Sequence, residues 1–105
     1  MRFQNIHLGK EMEIRQSRSF ARKARKLSKQ DKNILDRHIH KILKTPDIGK
    51  EKKGNLKGVY VYKFKIKTIQ YLISYRIVDN YIELVMIGPH ENYYRDLTDY
   101  LKERT

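Results

Sequence analysis

Residues 59–90 read VYVYKFKIKTIQYLISYRIVDNYIELVMIGPH, and the fold follows from how this run divides. A period of two marks a strand, because successive side chains on extended backbone point to opposite faces. From Val59 onward, Tyr60, Tyr62, Phe64 and Ile66 fall on one side; Val59, Val61, Lys63, Lys65 and Lys67 fall on the other. A second strand is predicted over about 69–78, with Ile69, Tyr71, Ile73, Tyr75 and Ile77 on one side. Asp79-Asn80 suits a two-residue hairpin turn, since both residues tolerate positive φ. The third strand, about 81–88, is nearly all apolar, which predicts burial on both faces and a central position in the sheet.

Upstream of this meander the period lengthens. Glu11-Met12-Glu13-Ile14-Arg15 alternates as a short strand would, and residues 1–10 read as a loose extension or an edge segment. Ser17 and Ser19 are both suitable N-caps for a helix that carries Phe20, Ala24 and Leu27 on one stripe. Ser28-Lys29-Gln30-Asp31 resembles a capping box and opens a second helix, with Ile34, Leu35, Ile39, Ile42 and Leu43 on its inner face. Thr45-Pro46 stops it, residues 46–58 form a loop, and 91–103 form a last helix with Tyr93, Leu97, Tyr100 and Leu101 inward. The order β-α-α-β-β-β-α predicts a small α+β sandwich, one domain over residues 1–105. Its antiparallel sheet is covered on one face by a helical hairpin and left open on the other.

Composition narrows the function. The 105 residues include 24 Lys+Arg against 12 Asp+Glu, a net charge of +12. Residues 1–58 hold 17 basic and 6 acidic side chains (+11); residues 59–105 hold 7 and 6 (+1) and all eight tyrosines. A basic, tyrosine-free half beside a near-neutral aromatic half attracts polyanions, nucleic acid or an acidic protein. With no cysteine, disulfides and thiolate metal sites are excluded. No run of about 18 apolar residues and no leader pattern is visible, so a cytoplasmic location without membrane contact is expected.

Two clusters could carry chemistry. Lys63, Lys65 and Lys67 follow one another on one strand face at about 6.6 Å, a spacing that can track a nucleic-acid backbone. Lysines so placed also keep an edge strand from unwanted pairing. Gly88-Pro89-His90-Glu91-Asn92-Tyr93-Tyr94-Arg95-Asp96 is the densest polar stretch and lies between the central strand and the last helix. Histidine, tyrosine and arginine together supply proton transfer, a phenol and a fixed cation. That set suits cleavage of RNA by its own 2′-hydroxyl without metal or cofactor. A histidine that merely caps the helix fits the same residues. His38 and His40 face different directions on their helix and make no metal pair; His38 borders the apolar stripe and is expected to pack.

Several pieces of the chain resemble the RelE/ParE superfamily of bacterial toxins from type II toxin–antitoxin modules. They are Ser17-Arg18-Ser19-Phe20-Ala21-Arg22-Lys23, Leu27-Ser28-Lys29-Gln30-Asp31, Asn55-Leu56-Lys57-Gly58, Tyr71-Leu72-Ile73-Ser74-Tyr75-Arg76-Ile77 and Ile87-Gly88-Pro89-His90. The resemblance runs from about Glu11 to Leu101 and implies the same β-α-α-β-β-β sandwich. It implies a ribosome-dependent, metal-independent mRNA endonuclease, an inhibitor of translation, with Lys65 at a family sheet lysine or histidine. His90 falls at the residue after the last strand, and Tyr93 or Tyr94 at a substrate-contacting tyrosine. His90, Lys65 and Tyr94, with Arg95 from the same polar stretch although it matches no family position, are the expected catalytic set. Lys63, Lys67, Arg76, Arg22, Lys23, Arg25 and Lys26 are the expected phosphate-binding set. Leu72 departs from the pattern, standing where RelE-like members carry an arginine. The resemblance also implies an acidic antitoxin partner beside the ribosome and mRNA. A ParE-like gyrase poison and a non-catalytic basic nucleic-acid-binding module are the alternatives.

Overall fold

The structure, a computed structural model, describes residues 6–8 and 10–104. Its strands are β1 (Ile6–Leu8), β2 (Lys10–Gln16), β3 (Lys50–Glu51), β4 (Tyr60–Ile66), β5 (Ile69–Val78) and β6 (Tyr81–Pro89). Its helices are α1 (Arg18–Arg25), α2 (Lys29–Lys44) and α3 (Tyr93–Arg104). They form a six-stranded sheet in the order β1-β2-β6-β5-β4-β3. The β4-β5-β6 meander is antiparallel and β6 is central, as the apolar run predicts. One pairing differs from expectation: β2 runs parallel to β6, with Ile14 opposite Ile82, so the sheet is mixed. Both strands of this pair run toward the same end, where the chain turns from Gln16 into α1.

Ser17 makes that junction. Its N–H continues the ladder to the Leu84 carbonyl at 2.9 Å, and its hydroxyl donates to the Val85 carbonyl. The same oxygen accepts the Phe20 N–H at 3.0 Å and so caps α1. Ser19, the other candidate cap, is buried inside the helix. Ser28 caps α2 by accepting the Asp31 N–H at 3.1 Å.

The two helices of the hairpin cover one sheet face. Phe20, Ala24, Leu35, Ile39, Ile42 and Leu43 pack on Phe64, Ile66, Ile73, Tyr75, Ile82, Leu84 and Ile87. The opposite face is not wholly open. Tyr93 and Leu97 of α3 close on Val59, Val61, Leu72, Val85 and Met86. Val85 and Met86 are consecutive yet share this face because of a β-bulge: Ser74 pairs with Met86 and Tyr75 with Leu84, leaving Val85 as the extra residue.

Tyr75 ties the α2–β3 loop to the sheet. Its hydroxyl donates to the Pro46 carbonyl at 2.6 Å and accepts the Gly49 N–H at 2.9 Å. Burial pushes this phenol up to about 12. A Cβ at Gly49 would lie 2.7 Å from that hydroxyl, which explains the glycine at an ordinary φ of −73°. His38 packs as expected, with Nδ1 2.6 Å from the Tyr62 hydroxyl and its ring 4.7 Å from that of Phe64.

Two outcomes follow from these contacts. Tyr75→Phe leaves two backbone groups unpaired and should cost about 1–3 kcal/mol in urea unfolding. Gly49→Ala should cost about 1–3 kcal/mol, and the double variant less than the sum of both, because the phenylalanine removes the nearest clash. Burial, and then Lys41 and Arg37, hold the His38 imidazole below its ordinary 6.5, so folding favours the neutral ring. As pH falls through the ordinary histidine range, the unfolded chain takes up a proton that the folded one resists. The Tm should therefore drop between about pH 7 and pH 5.5, and His38→Gln should flatten that slope.

Candidate functional site

Because α3 crosses only part of its sheet face, the end of that face carrying the β4–β5 turn stays exposed. Register assembles a row of polar residues there. Lys65 opposes Gln70 across β4 and β5, and the His90 N–H donates to the Gln70 carbonyl at 3.0 Å. Two strand spacings put the backbones of Lys65 and His90 about 10 Å apart. Lys63 stands one row back, opposite Leu72, which pairs in turn with Gly88. Lys63, Lys65, Gln70 and His90 are all exposed.

The turn into α3 positions the aromatic part. Asn92 takes a φ of 61°, reversing the chain after His90, and the Tyr93 N–H donates to the His90 carbonyl at 3.2 Å. Tyr93 then points into the core, its hydroxyl donating to the Met86 carbonyl at 2.7 Å and bonded to the Ser74 hydroxyl at 2.9 Å. Burial raises its pKa, so it is an anchor with no access to a ligand. Tyr94, one residue on, is half-buried and meets the His90 ring edge-on at 6.5 Å. The Lys52 Nζ sits 4.9 Å above the Tyr94 ring. Lys63 and Lys65 thus share the exposed sheet end with His90, whose ring meets Tyr94, and Tyr94 in turn carries the Lys52 ammonium over its face. The arrangement can bind a phosphodiester, offer it cations and exchange protons with it.

The expected residues separate on this geometry. Lys63, Lys65, His90 and Tyr94 come together. Lys67 does not share their face: β4 ends at Ile66 and Lys67 occupies the turn with a φ of 57°. Its Nζ reaches Asp31 at the start of α2, 3.8 Å away on the hairpin side. Arg76 shares the face but opposes Glu83, about six residues or 20 Å along β5 from Gln70, beside Thr98 and Leu101. Arg95 is exposed on α3, its Nε 3.6 Å from Asp96. Arg22 and Arg25 are exposed on α1, while Lys23 and Lys26 line a groove against β6. Leu72, at the usual arginine position, is fully buried with Tyr93 and Leu97; that place belongs to the core here. Lys52 was not anticipated, since only the β3–β4 pairing brings its loop to Tyr94.

Among the described residues no three His, Asp or Glu side chains group as a metal-ion site. Nor, among them, is any helix long and apolar enough to cross a membrane.

Comparison with known proteins agrees with this architecture. A chain of the intact E. coli RelBE toxin–antitoxin complex superposes with a TM-score of 0.60 at 20% identity, over 74% of this chain and 95% of that one. A mutant of E. coli toxin RelE in the free state gives 0.65 at 17% identity, over 87% and 94%. The isolated E. coli RelE toxin gives 0.60 at 18% identity, over 88% and 97%. At such identities the likeness is one of fold. No curated protein sequence matches significantly. The sequence model of the ParE-like toxins of type II bacterial toxin–antitoxin systems does match, over residues 14–98, and the chain belongs to that family.

Proposed function

We propose that this toxin is an mRNA endonuclease that works on the ribosome and uses its own side chains for the chemistry. The observation that supports it is the row Lys65–Gln70–His90 on the exposed sheet end, with Tyr94 against the imidazole. In such a reaction a ribose 2′-oxygen attacks the neighbouring phosphorus and the 5′-oxygen leaves, giving a 2′,3′-cyclic phosphate and a 5′-hydroxyl. His90 exchanges a proton with the attacking or the leaving oxygen. Lys63 and Lys65 oppose the charge that builds on the phosphorane. Tyr94 packs T-shaped against the imidazole, and Lys52 lies over the face of that tyrosine ring.

The charge distribution fits a supporting role. The +11 of residues 1–58 is carried largely by α1, α2 and the loop to β4, away from most of the reacting groups. That surface suits ribosomal RNA, and equally an acidic antitoxin that competes with it. Cytoplasmic action follows from both partners.

In a translation reaction with mapped mRNA ends, the wild type should cut within the decoded message. His90→Ala should lose on the order of 100-fold or more of that cleavage, and Lys65→Ala about tenfold or more. Arg76→Ala, at the other end of the sheet, should cut like the wild type. Equal cleavage by all variants would reject the assigned roles. Intact translation with inhibited supercoiling would favour a gyrase poison, the activity that the family's ParE branch suggests.

A further inference from the structure

On the hairpin side of the same sheet end lies a groove of about 300 Å³ that the reading above does not use. Lys23 comes from α1, and Lys26 and Leu27 are the two residues that follow it; Tyr71 comes from β5, and Ile87 and Pro89 from β6. It exists because β2 stops pairing at Leu84, so that along the last residues of β6 a helix, and not a strand, stands beside the sheet. Lys23 and Lys26 are three residues apart and share a helix face. Tyr71 is half-buried, pairs with Pro89 in the register, and sets its ring 6.0 Å from that of Phe64. The groove therefore has an apolar floor, an aromatic wall and two cations on one lip.

We propose that this groove is a one-nucleotide subsite, with the base against Tyr71 and Pro89 and its phosphate between Lys23 and Lys26. An aromatic wall beside paired lysines is the composition that binds single-stranded nucleic acid, since any base has a π-face to stack and any phosphate a charge to neutralise. Lys23 is already partly desolvated, and burial lowers its pKa, with Arg22 and Lys26 adding to the effect while Asp96 opposes it. An incoming phosphate would add to the partial counter-charge that Asp96 already supplies there. The subsite deepens the endonuclease reading and rests on it for its place in the reaction. Pro89 walls the groove and His90 is the next residue, about 3.8 Å along the backbone. An RNA strand whose scissile phosphate lies at His90 and Lys65 then needs to pass over the sheet end by only one nucleotide to enter the groove. Bases differ in stacking strength, so this groove would add a modest sequence preference.

The test separates binding from cleavage. The full-length His90→Ala chain, which can be produced without growth arrest on the reading above, is labelled with 15N and titrated with each of the four 5′-mononucleotides. Inorganic phosphate and ribose 5-phosphate serve as controls. Saturable shifts are expected at the amides of Lys23, Lys26, Tyr71 and Ile87 with at least one nucleotide. They should be roughly tenfold weaker for the two controls, which lack a base to stack. Lys26→Ala, at an exposed position, should weaken binding without disturbing the fold, and Tyr71→Leu should weaken it further. In the translation reaction, Tyr71→Leu should still cut but with an altered distribution of sites. Absence of shifts in the groove, or equal binding of inorganic phosphate, would overturn the subsite. If nucleotides bind in the groove while the wild type cuts no mRNA, the subsite stands and the endonuclease reading falls.

Discussion

The burial of β6 on both faces is the constraint on which the rest of the molecule depends. Ile82, Leu84 and Ile87 meet the hairpin, and Val85 and Met86 meet α3. A strand covered on both sides cannot also carry exposed catalytic groups along its length. Exposed polar side chains are therefore displaced to its C-terminal end, where Gly88 and Pro89 release the chain and His90 emerges. The bulge at Val85 lets one strand feed both layers at its middle, and the Ser17 hydroxyl holds the carbonyl of that extra residue. The same hydroxyl caps α1, so the placement of the basic helix and the placement of the bulge are one event.

How much of its face α3 covers decides what is left for function. Tyr93 and Leu97 are its only fully sequestered residues among those described, both in its first half. The Tyr93 hydroxyl reaches through to the Met86 carbonyl and locks the helix start beside the polar row. Tyr94 follows and cannot avoid the edge of His90. The two adjacent tyrosines thus divide the work: one fixes the backbone, and the other is presented at the surface. Coverage by α3 also explains Leu72. An arginine there would be driven into the apolar seam beneath Tyr93, so leucine fits the core and the cations come from β4 and the β3 loop.

Most of the fold was legible because each element carries its own local signal. Period two ran through β4 and β5, period three to four through α2, and Ser17 and Ser28 stood at the helix starts. What failed did so at turns and through tertiary reach. Lys67 kept the alternation one residue past the end of β4, and a positive φ sent it to the other face. Arg76 and Lys65 share a face in the pattern, but periodicity says nothing of the distance along a strand that separates two useful positions. Lys52 lies in an irregular loop, and only the short β3 pairing places it over an aromatic ring. The parallel pairing of β2 with β6 left no trace in either segment alone, since both read simply as strands. Of the candidate site, the residue types and their order were visible, and which of them meet was not.

That parallel pairing bears on when the toxin becomes a toxin. Contacts that join Glu13–Gln16 to Tyr81–Leu84 span well over half the chain, and distant contacts close slowly. The central strand is also the last strand to be made. Until residues near Pro89 have left the ribosomal tunnel, β2, the hairpin and β4–β5 lack the strand on which all of them dock. Until then neither the completed sheet nor the exposed end that carries Lys65 and His90 can assemble. A sheet whose interior strand is made last can close only once residues through Pro89 have been synthesised, whatever the order in which the other elements form.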